Sequence, residues 1–244
     1  MRNAAIAAGW DQVTPLTATV TVNDFVGGSS TGAYAFRTGS PFPAGSSITI
    51  INNHWIVGAG GAGGNGAYYY GGPYGTYAGT NGGAGNHALA IEVGGVNIYN
   101  NGVICAGGGG GGGGGFAVIP PAHAYDGGGG GGGNGVVGGI GGSPGYTPIG
   151  VQGQHGAAGT YYAGGTGGLL GIIAKPSGGN GGSYGAAGGP GSESLYWVAN
   201  PCDPGDGYYK TLLPATSGGA GGYAVVGNSN GIWHVVGNRY GTIG

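Results

Sequence analysis

Residues that could carry catalysis are present in this chain, but their spacing suits no catalytic arrangement. The five histidines are His54, His87, His123, His155 and His234. They are scattered without the short separations typical of metal ligands, and no serine, histidine and aspartate arrangement has supporting context. The best carboxylate pair for glycoside hydrolysis is Asp203 with Asp206, and it lies in the turn-like segment PCDPGDG. The sequence therefore predicts no enzyme activity, no metal site and no cofactor.

Two further motifs also fail to indicate a nucleotide-binding, metal or disulfide site. The segment 60–66, GGAGGNG, resembles a dinucleotide-binding loop only superficially, because such a loop opens a helix and here glycine recurs everywhere without a helical pattern. Cys105 and Cys202 form no metal cluster and no disulfide framework. They make either one bridge or two unrelated thiols.

Tyrosine is the side-chain type that best indicates a function. The chain has 17 Tyr, and ten of them fall in five segments defined below. Tyr offers a large amphipathic surface at low rotamer cost, and Tyr, Trp and Arg are enriched in binding hot spots. These side chains favour recognition of another molecule.

The composition limits the scaffold that can carry them. Of 244 residues, 72 are Gly and 13 are Pro, charged residues make up 5%, and the formal net charge is −2. Five Lys and Arg residues are too few for nucleic-acid binding, no apolar run reaches the ~18 residues of a membrane span, and the glycines lack the collagen period. Gly costs about 1 kcal/mol per helical position, which excludes an α-helical core.

The first 57 residues are predicted to form a small β-rich base. Residues 13–26 and 46–57 alternate apolar and polar types, as half-buried strands do. An internal repeat aligns 48–61 (ITIINNHWIVGAGG) with 96–109 (VNIYNNGVICAGGG) at an offset of 48. Because Asn-Asn pairs favour tight turns, each copy is predicted to be a short hairpin-like element that leads into a glycine run.

Ten glycine-dense runs follow, and the segments between them alternate in length. The runs are 58–66, 82–85, 107–115, 127–135, 138–142, 153–159, 164–168, 178–182, 185–191 and 218–222. The long segments all follow odd-numbered runs, and they are 67–81, 116–126, 143–152, 169–177 and 192–217. If consecutive runs go out and back, these five segments meet at one end of the molecule. Cys105 and Cys202 then lie at opposite ends, so we expect no disulfide between them.

A glycine run can adopt the polyproline II conformation, which makes no internal hydrogen bonds. Its amides and carbonyls must then pair with neighbouring runs, and because Gly loses the most entropy on folding, only a cooperative bundle is stable. The predicted fold is mostly irregular and β. It has a β-rich base (1–57), a layered bundle of about ten polyglycine-II helices with distal loops (58–222), and a strand module (223–244) that packs on the base.

Three segments of the chain resemble a known family. They are INNHWIVGAGGAGG (51–64), NIYNNGVICAGGGGGGGGG (97–115) and GGAGGYAVVGNSNGIWHVVGNRYGTIG (218–244). They resemble the receptor-binding tips of bacteriophage tail fibres, above all the fibre-tip adhesins of T-even-like phages and the glycine-rich domains of some siphophage tail-tip and central-fibre proteins. In that family polyglycine-II helices stack into a layered sandwich, and variable distal loops bind a bacterial outer-membrane protein.

The resemblance implies a non-enzymatic adhesin at the distal tip of a tail fibre, on the virion. The expected receptor is an outer-membrane protein of a Gram-negative host, bound by the five long segments, which would set host range. The expected partner is a trimeric tail-fibre protein held through the N-terminal region, without nucleic acid or membrane insertion. The candidate receptor-binding residues are Tyr68, Tyr69, Tyr70, Tyr74, Tyr77, Phe116, Ile119, Tyr125, Tyr146, Tyr196, Trp197, Tyr208, Tyr209 and Lys210. The apolar segment around Phe116 is either a hydrophobic anchor or a packed tip.

Two other functions remain open at this point. A structural subunit of a glycine-rich extracellular filament predicts self-association along flat or apolar surfaces of the runs. An ice-binding polyglycine-II protein predicts a regular face of Thr, Ala or Ser at every third residue. No such ranks are evident in the runs, and the Tyr-rich segments have no purpose in that function.

Overall fold

The described part of the chain folds almost entirely into short strands and irregular segments. The structure is a computed structural model, and it describes residues 1–29, 32, 34–69, 75–119, 123–146, 152–169, 176–193 and 213–244. Within these ranges the only α-helix is α1 (Arg2–Ala7). The strands are β1 (Thr17–Val22), β2 (Val26–Gly27), β3 (Phe36–Arg37), β4 (Ser47–Asn52), β5 (Trp55–Val57), β6 (Tyr68–Tyr69), β7 (Thr76–Tyr77), β8 (Leu89–Ala90), β9 (Val96–Asn100), β10 (Val103–Cys105), β11 (Ala117–Ile119), β12 (His123–Tyr125), β13 (Tyr223–Val226), β14 (Gly231–Val235), β15 (Asn238–Tyr240) and β16 (Thr242–Ile243). The prediction of a mostly irregular and β fold is confirmed at this level.

Twelve of these strands form three parallel sheets that the chain visits in rotation. The first sheet has the order β1-β4-β9-β14, the second β2-β5-β10-β15 and the third β3-β8-β13-β16. Every neighbouring pair in the three sheets is parallel. Because the chain passes from the first to the second to the third sheet and then begins again, the strands wind into a three-sided solenoid of four coils.

The core of the solenoid is a stack of one residue per sheet in each coil. The aligned positions are Val20, Val26 and Phe36 in the first coil, Ile50, Ile56 and Leu89 in the second, Ile98, Ile104 and Val225 in the third, and Trp233, Arg239 and Ile243 in the fourth. The six side chains of the two middle coils are fully buried. Burial of such a side chain contributes about 1.5–3 kcal/mol, so these coils hold the solenoid together.

The Asn-Asn pairs lie at a corner of the solenoid and not in hairpins. The strands on either side of Asn52 belong to different sheets and do not pair with each other, so the predicted hairpin-like element is wrong. The repeat at an offset of 48 instead places two coils side by side, and Ile50 neighbours Ile98 in register. Alternation along a strand indicates which face is buried but not which strand it pairs with. The sequence therefore could not distinguish a hairpin from a corner between two sheets.

Both glycine-rich excursions leave the solenoid from the second sheet and return to the third. The first leaves after β5 and returns at β8, and the second leaves after β10 and returns at β13. Residues 89–105, which the sequence division placed within 58–222, therefore supply three strands of the base. Residues 223–244 supply the strands β13 to β16.

The third glycine run, 107–115, is hydrogen-bonded to other runs on all sides. The amides of Gly108, Gly111 and Gly114 donate to run 127–135, while the amides between them donate to the second and ninth runs. The carbonyls of the third run accept from the first, eighth and tenth runs. The run thus has six neighbours, and run 127–135 also has six.

These hydrogen bonds arrange the ten runs, called the bundle below, in three rows. The outer rows are 82–85, 58–66 and 138–142 on one side and 185–191, 178–182 and 164–168 on the other, and the middle row is 218–222, 107–115, 127–135 and 153–159. The two central runs are buried along their whole length. They are also the longest stretches of almost pure glycine, because every side of them faces another backbone.

The outer runs show where a side chain can be accommodated. In run 58–66 the residues other than glycine are Ala59, Ala62 and Asn65, and along the 138–142 run the third-residue series is Val137, Ile140 and Ser143. Ranks at every third residue therefore exist, although none was evident from the sequence. Their mixture of large apolar and polar side chains is unlike the uniform small face that ice binding requires.

Candidate functional site

The described parts of the five long segments lie together at the end of the bundle remote from the solenoid. At the solenoid side, the amide of Gly58 donates to the carbonyl of Cys105 at the end of β10 (2.8 Å). Nine residues further on, the amide of Ala67 donates to the carbonyl of Gly114 (3.0 Å). Runs that leave the solenoid therefore end side by side, and we call this end of the bundle the loop end.

A small apolar core ties three of the segments together at the loop end. Phe116 is 1% exposed and packs with buried Ala67 and with Leu213. The amide of Phe116 donates to the carbonyl of Leu213 (3.1 Å), and the reverse bond is 3.3 Å. Phe116 is thus a packed residue, and this burial corrects its assignment to direct receptor contact.

Beneath these segments, polar side chains form hydrogen bonds at the ends of the runs. The hydroxyl of Thr216 donates to the carbonyl of Thr80 (2.7 Å), and the hydroxyl of Thr80 accepts from the amide of Asn65 (2.7 Å). The Ser177 and Ser192 hydroxyls lie 2.8 Å apart. These contacts join the bases of the first and last segments and of the fourth and last segments, so the segments start from fixed points.

The first segment contains a short hairpin that presents two predicted tyrosines. The strands β6 and β7 are antiparallel, with Tyr68 opposite Tyr77. The two rings stack with centroids 4.7 Å apart and planes inclined by 12°, and Tyr77 is 44% exposed. Stacked rings of this kind hold each other in place, so the pair forms a rigid aromatic surface.

The second segment contains another hairpin, and it carries Ile119 and Tyr125. The strands β11 and β12 are antiparallel, and Ile119 lies opposite His123 in register. Tyr146, the last residue of the described stretch 143–146 of the third segment, is 54% exposed.

Not all predicted site residues fall within the described ranges. The structure includes the backbone of Tyr69 in β6. Tyr70, Tyr74, Tyr196, Trp197, Tyr208, Tyr209 and Lys210 lie outside the described residues. Their assignment to receptor contact stays a prediction.

The structure also exposes apolar side chains that the sequence analysis did not select. Leu169 is exposed where the fourth segment begins, and Ile140 is exposed on the flank of the bundle. In the sequence, each of them belongs to a series of every third residue along an outer run. That this series faces solvent is visible only once the neighbours of each run are known.

At the junction between the solenoid and the bundle, aromatic rings surround a thiol that has no partner cysteine among the described residues. Tyr161 lies between Trp55 and Tyr184, with centroid distances of 5.9 and 6.1 Å. Burial raises the pKa of the Cys105 thiol to about 12 and also raises the pKa of Tyr184. The Cys105 side chain is fully buried, so this junction is a packing contact.

Two further kinds of site, a metal site and a membrane-spanning helix, have no candidate among the described residues. No group of three or more His, Cys, Asp or Glu side chains among them could hold a metal ion, and none of their helices is long and apolar enough to cross a membrane. The salt bridge found among them joins Arg37 and Glu92 on the solenoid, where the hydrogen bond from Arg37 lowers the pKa of Glu92. The loop end is therefore suited to contact by shape and aromatic surface.

Truncation of Phe116 should loosen the loop end as a unit. We expect Phe116→Ala to cost about 3–5 kcal/mol at this site, as large-to-small substitutions of buried aromatic residues do. Hydrogen exchange should then increase in the backbone around Ala67 and Leu213 while the solenoid strands keep their protection. Unchanged exchange at both residues would contradict the role assigned to this core.

Comparisons with known proteins agree with this architecture. A family model described as phage tail fibre adhesin Gp38 matches residues 1–244. Among solved structures, the chain is similar to the one described as the crystal structure of the gp37-gp38 adhesin tip complex of the bacteriophage S16 long tail fiber, with a TM-score of 0.57 and 26% sequence identity over 99% of this chain and 76% of that chain. No curated protein sequence matches.

Proposed function

The chain belongs to the Gp38 family of phage tail fibre adhesins, and from that membership we propose that its loop end binds a receptor on the outer membrane of a Gram-negative host. Its place is the tail fibre of the virion, outside the host cell. The proposed receptor is an outer-membrane protein, and the five long segments would decide which host is recognised.

One observation carries this proposal. The bundle is held by backbone hydrogen bonds between glycine runs, so its stability depends little on those residues of the segments that lie beyond the Phe116 core. Those segments begin at fixed points and carry aromatic residues such as the stacked pair of Tyr68 and Tyr77. Binding by a preorganised surface avoids part of the ordering cost, and this combination suits a receptor-binding site whose specificity changes while the scaffold stays constant.

We further propose that the runs are polyglycine-II helices. That conformation has about three residues per turn, and the amides of run 107–115 donate to three different neighbours in rotation. The three-residue period of these hydrogen bonds supports the assignment. A bundle of this kind is stiff, because each central run is held by six others.

The solenoid is the proposed attachment region for a tail-fibre protein. The similar solved structure is a complex of gp37 with gp38, which supports a partner of the gp37 kind for this chain. Attachment and recognition would then use opposite ends of the molecule.

The proposed function is tested by exchanging the segments. Replacement of the five segments by those of a relative with a different host, with the buried Ala67, Phe116 and Leu213 and the hydrogen-bonding Thr and Ser side chains at the segment bases kept, should transfer binding to that host, while the melting temperature hardly changes. The assay measures binding of the purified chain to host strains that each lack one outer-membrane protein. Retention of the original host preference after the exchange would refute the proposal.

A single-residue version of this test compares two exposed tyrosines. We expect Tyr77→Ala at the loop end to weaken cell binding by about 10- to 30-fold, in the range of a hot-spot residue. Tyr162→Ala is the matched control, because Tyr162 is 85% exposed but lies in the link 160–163 on the solenoid side. Equal losses for the two variants would argue against the loop end as the binding site.

A further inference from the structure

A pocket lies where the solenoid meets an outer row of the bundle. Its volume is about 430 Å³, which is within the range of ligand-binding clefts. The outer row lines one wall with Ala62 and Ala84, and the other wall is supplied by Tyr34 and His87, which precede the solenoid strands β3 and β8. None of the described residues that line the pocket is Lys, Arg, Asp or Glu. The pocket therefore suits an uncharged ligand.

Two backbone amides in this pocket are not used by the bundle. The amides on either side of Ala62 donate to two neighbouring runs, and so do the amides on either side of Ala84. Successive residues of a chain with three residues per turn point about 120° apart, so the amides of Ala62 and Ala84 point in the third direction, away from those runs. Within the described part of the chain neither amide has an acceptor.

His87 supplies a third donor. Its Nδ1 accepts from the backbone amide of Tyr223 (2.9 Å), so the proton of the neutral ring is on Nε2. Burial lowers the pKa of His87, which favours this neutral form at pH 7. Three residues that line the pocket thus each carry an N–H group for which a ligand can supply an oxygen acceptor.

The aromatic wall of the pocket is held in place by its neighbours. The ring centroids of Tyr34 and His87 are 5.3 Å apart, and the Arg37 guanidinium lies over the Tyr34 ring at 5.5 Å. The His87 ring also meets the Tyr223 ring edge to face at 5.2 Å. Since a cation already covers one face of Tyr34, a sugar ring cannot stack there. A rigid aromatic wall instead resembles the grooves that bind polyproline II segments.

The spacing of the donors matches an extended chain with three residues per turn. The three-residue period of the hydrogen bonds to run 58–66 continues as far as the amide of Asn86, so Ala84 and His87 are one turn apart, about 9 Å. A ligand in the same conformation presents carbonyls on one side at that same interval. Two carbonyls three residues apart can therefore accept from both positions.

We propose that this pocket binds a proline-rich segment of another protein in the polyproline II conformation. Proline has no N–H, so such a segment offers carbonyl acceptors to the three donors and brings no amide that needs an acceptor. It is also preformed, and it loses little entropy on binding. This inference goes beyond the proposed function and rests only on the conformation proposed for the runs.

A glycine-rich segment, such as a run of a second copy of this chain, is a poorer occupant. It would lose more conformational entropy when it becomes ordered, and its amides would need acceptors of their own. The chain itself has one Pro-Pro pair, Pro120-Pro121, and this pair belongs to the second long segment. The occupant is therefore a separate protein.

The test titrates the purified chain with capped octaproline and with a capped (Gly-Ser)4 peptide of equal length. We expect octaproline to shift the NMR signals of the Ala62 and Ala84 amides and to bind at least about tenfold more tightly than the Gly-Ser peptide, because a preformed ligand avoids the ordering cost. Equal binding of the two peptides would overturn the proposal. Tighter binding of the uncharged sugar maltohexaose than of octaproline would also overturn it.

A proline substitution removes one donor selectively. Ala84→Pro should weaken octaproline binding by about tenfold, because it deletes a hydrogen bond to the ligand. Ala158→Pro is the matched control, since Ala158 is exposed in run 153–159 at the opposite edge of the bundle and its amide also has no described acceptor. It should change binding by less than about twofold. Proline suits the backbone angles of polyproline II, so both variants should keep the wild-type melting temperature, and equal octaproline binding by the two would refute the proposal.

A second variant tests the aromatic wall and does not depend on the folding of Ala84→Pro. We expect Tyr34→Leu to weaken octaproline binding by about fivefold, since an aromatic contact is lost, and wild-type binding by this variant would contradict the proposal. Binding to host cells should be unchanged in all three variants, whereas Tyr77→Ala at the loop end should leave octaproline binding unchanged. Failure of the receptor proposal and failure of this one are thus distinguishable.

Discussion

The variant Gly111→Ala should not accumulate as a folded, soluble protein. Gly111 lies in the middle of the central run 107–115, and a methyl group there would overlap the backbone carbonyl of Gly179 in a neighbouring run. Backbone on all sides cannot move aside as a flexible side chain can, because each run is fixed by hydrogen bonds to several others. We expect a loss of more than about 5 kcal/mol, at the extreme of single substitutions.

The control for this variant is a glycine at which the same substitution should not lower the stability of the folded protein. At Gly189, in the outer run 185–191, the nearest atoms to an added methyl group are 3.6 Å away, in Asn180. Gly189→Ala should therefore be neutral or stabilising by about 0.4–1 kcal/mol, since it lowers the entropy of the unfolded chain. Soluble yield and melting temperature distinguish the two, and a folded Gly111→Ala protein with wild-type stability would show that the central run is not enclosed.

The second large effect is expected at the buried corner of the solenoid. Asn100 is fully buried, where its Oδ1 accepts from Asn52 Nδ2 and its Nδ2 donates to the carbonyl of Val236, both at 2.7 Å. Asn100→Ala removes both bonds and leaves the Val236 carbonyl without this donor. Each buried group left unsatisfied costs about 1–3 kcal/mol, so we expect a loss of about 2–5 kcal/mol.

The neighbouring residue supplies the control. Asn101 makes a similar amide contact, in which its Nδ2 donates to Asn53 Oδ1 (2.9 Å), but this contact is exposed to solvent. Asn101→Ala should cost less than about 1 kcal/mol because water replaces the lost partner. Thermal unfolding measures both variants, and a loss of about 3 kcal/mol corresponds to roughly 6–12 °C in a chain of this size. Equal shifts in melting temperature for the two variants would show that burial of Asn100 does not increase the cost of losing its hydrogen bonds.

Several features of this protein could be predicted from the sequence. The positions of the strands around Ile50 and Ile98 followed from their alternation, and the register of the two strands reproduces the offset of 48. The alternation of long and short segments indicated which segments share an end, and the described residues of the first, second and last segments meet around Phe116. These inferences rest on local spacing, which does not depend on the partner of each element.

The pairing of the strands and the burial of individual loop residues could not be predicted. The Asn52-Asn53 pair suggested a hairpin, whereas the chain turns a corner into another sheet. The sequence left open whether the segment around Phe116 is a hydrophobic anchor or a packed tip, and the Phe116 ring packs against Ala67 and Leu213. In both cases the deciding contacts come from residues far away in the chain, and no local pattern records them.

The sequence by itself determined that the runs must pack against each other, and it predicted that function lies in the segments between them. A glycine run has no side chain to bury, so its amides and carbonyls can be satisfied only by other backbones. Only the tertiary structure decided which run has six neighbours and which residues of an outer run face solvent. The physical reason is that identical glycines carry no information about their partners, so the sequence of a run does not specify which other runs surround it.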